Sequence, residues 1–294
     1  MLRRFTLSAL ASAIFASAGL SSVIFAQATP TPSPQQTTTT TQNTDRQKET
    51  AKPAKFDPKN PTAEQIAETV IAVYGIRERL AQIRRTGVER GRITRINGEG
   101  VAEEITYERR FMRGETSDKD KIRLDQRKPS LEYSLVLNGG RVFGVVKGTT
   151  FTPRQDEVAE FLTQNHRGLD ALLRYKENGS TVALAGRDKQ KGIDMWLLDL
   201  TDKERRTTRY FVSSATGRVL WLEYEGAAQG GAPPVKYRRT FHDYRVVQGT
   251  RVPYRSVLYA DGKQLEESQL LTVTYGIKMD DSLFQGSDTT ASGY

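Results

Sequence analysis

The feature that most constrains this chain is its last ninety-odd residues, where alternating apolar and polar side chains are cut at short intervals by turn pairs. The tract runs from Gly192 through IDMWLLDLT, TTRYFVSSATGRVLWLEYE, KYRRTFHDYRVVQGTRVPYRSVLYADGKQ and LLTVTYG to DDSLF. A period of two puts one apolar face on each segment. Thr216-Gly217, Gln248-Gly249 and Asp261-Gly262 are the breaks, and a glycine after a small polar residue suits a tight hairpin where φ turns positive. The pattern predicts a curved antiparallel sheet whose apolar face holds something apolar.

Upstream, Thr62 and Gln65 form a T-x-x-Q capping box after Pro61, which predicts a helix beginning at Thr62. Ile66, Val70, Val73, Leu80 and Ile83 give it one apolar face, and Gly75 predicts a kink or break. From Val88 the period moves to two, with Asn97-Gly98 and Asn138-Gly139 as hairpin turns. A second helical stretch, broken near Gly168, spans about Pro153 to Tyr175, and Asn178-Gly179 returns the chain to strands. Helices segregated from runs of strands predict an α+β fold: a strongly curved antiparallel sheet, an incomplete β-barrel, with helices packed on its concave side.

Residues 1–28 read as a signal peptide: Arg3 and Arg4, an apolar stretch from Phe5 to Phe25, then Ala26-Gln27-Ala28. Residues 29–58 are a Thr/Pro-rich linker with too little apolar surface to offset ordering entropy. Residues 59–286 are the expected domain and 287–294 a tail. The chain has no cysteine, so an exported domain of this kind must be stabilised by its core without disulfides. The formal charge of +9 is spread among acids, as on a solvated mixed surface, and no nucleic-acid partner is expected.

Catalytic motifs find no support. The two histidines, His166 and His242, have no second histidine at metal-ligand spacing. No serine sits on a nucleophile elbow, and neither phosphate-cradling glycine motif occurs. Asp280-Asp281, beside Ser282, reads as turn chemistry. The chain is expected to bind rather than catalyse, with no cofactor and no metal.

The order of these elements resembles the bacterial periplasmic lipoprotein-carrier family, the LolA/LolB-like outer-membrane lipoprotein-sorting proteins. The residues that carry the resemblance are MWLLDL, then TRYFVSSATGRVLWLEYE with its small-Thr-Gly turn, then HDYRVVQGTRVPYRSVLYADGK and the terminal DDSLF. The resemblance covers roughly residues 62 to 285. It implies a monomeric carrier that shields acyl chains of lipoproteins or lipids in an apolar cavity, taking them from an inner-membrane release complex to an outer-membrane receptor. An envelope-stress sensor of the same fold, acting through a protein partner, is the alternative. Strand alternation selects Trp196, Leu198, Tyr210, Val212, Leu220, Leu222 and Tyr224 as inward-facing lining residues, although in 193–200 the pattern fits Met195 and Leu197 inward as well as Trp196 and Leu198, and the same side chains could equally fill a closed core. By the same resemblance Arg113 is the counterpart of an arginine that holds the helical lid, with Gly114 where the family often has proline.

Overall fold

Residues 60–96, 100–129, 131–226 and 233–286 are described by a computed structural model of the chain. The expected leader, the linker, the Asn97-Gly98 turn and the tail therefore lie outside the described residues.

Two helices come first, α1 (Ala63–Tyr74) and α2 (Arg77–Ile83). The capping box at Thr62 forms in both directions: Thr62 Oγ1 accepts from the Gln65 amide at 3.2 Å, and Gln65 Oε1 accepts from the Thr62 amide at 2.9 Å. Gly75 ends α1 with φ at 145°, and Ile76 follows at φ 64°. A left-handed backbone at a β-branched residue is costly, about 1–3 kcal/mol, so the break foreseen at Gly75 is a strained joint.

The strands are β1 (Thr86–Ile96), β2 (Ala102–Met112), β3 (Lys121–Arg127), β4 (Glu132–Asn138), β5 (Arg141–Val146) and β6 (Thr149–Phe151). Helices α3 (Gln155–Arg167) and α4 (Leu169–Leu173) interrupt them, split at Gly168 as the sequence indicates. Then come β7 (Thr181–Gln190), β8 (Ile193–Thr201), β9 (Thr207–Ser213), β10 (Val219–Glu225), β11 (Lys236–Val247), β12 (Thr250–Ala260) and β13 (Lys263–Tyr275).

These strands form one antiparallel sheet of thirteen, in the order β6-β5-β4-β3-β2-β1-β13-β12-β11-β10-β9-β8-β7. Two meanders thus join where the first strand meets the last, Gly87 opposite Tyr275 and Arg95 opposite Glu266. The sheet stays open between β6 and β7, and α3 and α4 make the connection between those two edges.

Curvature has local causes. Bulges interrupt the register at Arg90/Gly91, Leu184/Gly186, Val219/Trp221 and Leu258/Tyr259, and each bends its strand and increases the twist. At Gly91 a Cβ would lie 2.4 Å from the Gln269 carbonyl oxygen and 2.7 Å from the Tyr107 ring. Only a glycine lets the two halves of the sheet approach there while an aromatic ring covers the bare backbone.

Helices line the inner face. Ile66, Ala67, Val70, Ile71 and Tyr74 of α1, with Leu80 and Ala171 to Leu173, pack on Trp196, Leu198, Leu200, Tyr210, Val212, Val219, Leu222 and Phe241. On the other half of the sheet Phe161 of α3 packs with Phe111, Ile122, Leu124, Leu135, Tyr254 and Tyr275. The opposite face of β4 is covered by a 3-10 turn, Asp281–Phe284, where Phe284 lies fully buried against Val136 and Val145. Asp280 caps that 3-10 turn by accepting from the Ser282 amide at 2.8 Å, and Asp281 pairs with Lys121 at 2.7 Å. The aspartate pair is therefore turn chemistry, as its sequence context indicates. No helix among the described residues is long and apolar enough to cross a membrane.

Candidate functional site

The candidate site is the inner face under α1 and α4, with the polar belt that fastens those helices. Trp196, Leu198, Tyr210, Val212 and Leu222 lie together beneath α1, and Tyr224 packs against the same cluster. Leu220 does not join them. Simple alternation over Val219 to Glu225 pairs it with Leu222, but the bulge between Val219 and Trp221 shifts the register, so Val219 and Leu222 both reach the inner cluster. Leu220 is left half-buried, and Trp221 stacks on Phe211 at 4.5 Å with Arg238 over its ring.

Two tyrosines hold α1 at its far end. Tyr74 and Tyr244 share a hydroxyl hydrogen bond of 2.9 Å, their rings meeting edge to face, and the Tyr244 hydroxyl also donates to the Val219 carbonyl at 2.5 Å. Burial pushes the Tyr74 hydroxyl up to about 12, which keeps it neutral and able to donate. The bulge that brings Val219 inward thus has a hydrogen-bonding role as well as a packing one.

Charged side chains fasten the helices at the rim. Asp170, on the first turn of α4, accepts from Arg113 at the end of β2 and lies 3.5 Å from Arg84 at the end of α2. Burial would raise the Asp170 carboxyl, but Arg113, Arg84 and Arg109 hold it well below the usual carboxylate range. Arg84 also donates to the Arg251 carbonyl at 2.8 Å. Arg174, after α4, meets both Asp120 oxygens at 2.8 and 3.0 Å and donates to the Gly114 carbonyl at 2.8 Å. On the opposite side Glu68 of α1 joins Arg77, Lys176 and the Tyr175 hydroxyl at 2.8, 2.8 and 3.0 Å. Arg113 is thus placed against the helices, through a partner that sequence spacing did not single out. Gly114 donates its amide to Asp120 at 2.9 Å, a bond that a proline there could not make.

An ion network has no counterpart in the sequence reading. Arg95 of β1 contacts both Glu266 of β13 at 3.0 Å and Glu160 of α3, and Arg239 of β11 lies 3.4 Å from Glu266. Glu266 is almost completely buried. The α1 cluster and the α3 cluster are separate, so the inner face carries two apolar compartments rather than one, and the ion network joins β1, β11 and β13 to α3. Beside the rim charges is a cavity of about 350 Å³, lined by Arg77, Leu80, Ala81, Arg85, Arg113 and Arg174 among others.

No family model and no curated protein matches the sequence. Solved structures do match the fold. A LolA superfamily protein from Nitrosomonas europaea superposes with a TM-score of 0.54 at 11% identity, over 77% of this chain and 98% of its own. The chain has a LolA-like fold. A DUF1329 family protein from Desulfovibrio piger has the same TM-score and identity, over 78% of this chain and 99% of its own.

Proposed function

We propose that this protein is a periplasmic carrier that shields the acyl chains of lipids or lipoproteins on its inner face, with α1 and α4 as a displaceable plug. The observation that carries the reading is how the apolar face is covered. It is closed by short helices on a strained joint at Ile76, fastened by side-chain ion pairs, and not by a second sheet. Trp196, Leu198, Tyr210, Val212, Leu222 and Tyr224 would meet the chain, with Val219 in the place foreseen for Leu220.

Magnitudes support exchange. Lifting Ile66, Val70, Ile71 and Tyr74 of α1 with Leu172 and Leu173 of α4 off the sheet gives up about 1.5–3 kcal/mol each, or roughly 9–18 kcal/mol in all. An acyl chain of about sixteen carbons recovers roughly 12 kcal/mol at ~0.8 kcal/mol per CH₂. Near-balance makes loading reversible, as a carrier requires, and no covalent step is involved. Export follows from the leader read at residues 1–28, and delivery would be to a receptor at the outer membrane.

Native mass spectrometry of protein purified from the cell envelope tests the proposal. Co-purifying lipid or acylated protein is the expected result. Recovery with an unacylated protein at fixed stoichiometry overturns carriage in favour of a regulatory module, and an empty protein that takes up no fatty-acid probe refutes it outright.

A further inference from the structure

The cavity of about 350 Å³ at the rim combines two chemistries. It is lined by Arg77, Arg85, Arg113 and Arg174 and by the apolar Leu80, Ala81 and Leu173. Leu80 and Leu173 belong to the apolar cluster beneath α1, so the cavity shares two of its lining residues with the candidate acyl compartment. Its volume lies within the ordinary range for small-molecule sites, about 300–1,000 Å³.

The four arginines are not equally occupied. Arg113 and Arg174 are held by Asp170 and Asp120. Arg77 gives one nitrogen to Glu68 at 2.8 Å, while its Nη1 is buried without a hydrogen-bond partner. Arg85 is exposed, and its guanidinium makes no hydrogen bond or ion pair with any described residue. Two carboxylates also line the cavity, but Glu115 is held by Lys119 and Glu177 by Arg174, each at 2.8 Å. The unfilled capacity is therefore donor capacity. A guanidinium fork suits a planar carboxylate or a phosphate above other partners.

We infer that this cavity binds the oxyanionic head group, phosphate or carboxylate, of an amphiphile whose chain enters past Leu80 and Leu173, with Arg85 as the head-group contact. The inference rests on the carrier reading and names the class of ligand it takes.

Calorimetric titration of the full folded protein with three probes, below micelle-forming concentrations, tests it: dodecyl phosphate, dodecyl maltoside and inorganic phosphate. Dodecyl phosphate should bind about tenfold more tightly than dodecyl maltoside, as one charge-assisted contact allows. Arg85→Ala should abolish that margin, Arg85→Lys should keep most of it, and the dodecyl maltoside affinity should not change. The Arg85 guanidinium pairs with no described residue, so an unchanged melting temperature would show that the variants remain folded. Equal affinity for the two detergents overturns the head-group site and leaves carriage standing. Binding of neither overturns both. Inorganic phosphate binding as tightly as dodecyl phosphate also overturns the assignment, because the anion would then be free phosphate and the chain irrelevant.

Discussion

Replacing Asp170 with Asn should loosen the plug without removing any apolar contact. In the native fold this carboxylate faces Arg113 and Arg84, whose side chains are only 10% and 7% exposed. Taking one partner from a buried pair costs about 3–5 kcal/mol, because the other charge is stranded. Asp170 itself is 35% exposed, so water compensates in part, and about 2 kcal/mol is the appropriate figure. For a domain of this size that lowers the melting temperature by roughly 4–8 °C. If ligand binds only when α4 and α1 are lifted, apparent affinity scales with the open fraction. The same 2 kcal/mol then tightens binding of a fluorescent apolar probe such as N-phenylnaphthylamine by up to about 30-fold. Adding Arg113→Met to Asp170→Asn should recover part of the lost stability, since a neutral pair strands less charge than a broken one. A fall in melting temperature with unchanged probe affinity would refute the latch, since Asp170 would then support the fold but not gate it.

Acid should act through the same carboxyl. Asp170 titrates below its ordinary value of 3.8 in the folded state, so its contribution is complete above that value and is lost as pH falls through the folded pKa. Melting temperatures measured from pH 5 to pH 2 should therefore fall more steeply in the native protein than in Asp170→Asn; parallel curves would contradict the assignment. Phe284→Ala removes a fully buried ring from the outer face of β4 and should cost about 3–5 kcal/mol in urea unfolding. A loss under 1 kcal/mol would show that the terminal turn is not part of the cooperative unit. Gly91→Ala brings a methyl group to within 2.4 Å of the Gln269 carbonyl oxygen and should cost about 1–3 kcal/mol, whereas a neutral result would mean that β1 and β13 approach less closely than described.

Local chemistry was legible in the sequence. The T-x-x-Q box at Thr62 fixes the start of α1, because the orphan amides of a helix end are satisfied by residues three apart. Thr216-Gly217, Gln248-Gly249 and Asp261-Gly262 fall between successive strands, because positive φ is decided by the turn residues themselves. Alternation selected residues that lie under α1, but it failed at Leu220. A bulge depends on how the two strands match, and neither strand carries that information alone.

The polar parts of the site were not legible. Arg84, Arg113, Asp120, Asp170 and Arg174 are spread over ninety residues and meet only because α4 returns to the end of β2. Arg95, Glu160, Arg239 and Glu266 meet because the first strand pairs with the last. An ion pair has no period, so its members look in sequence like any solvated charges.

The sequence by itself determined the elements of this protein: a capped helix, hairpins and strands with one apolar face, since each depends on neighbours a few residues away. Tertiary structure alone decided that the sheet remains open between β6 and β7, that helices occupy its inner face, and that arginines and aspartates converge at the rim. Backbone propensity and side-chain period are local quantities. Closure, burial of charge and the shape of a cavity depend on which distant segments share a surface, and that is settled only when the whole sheet has formed.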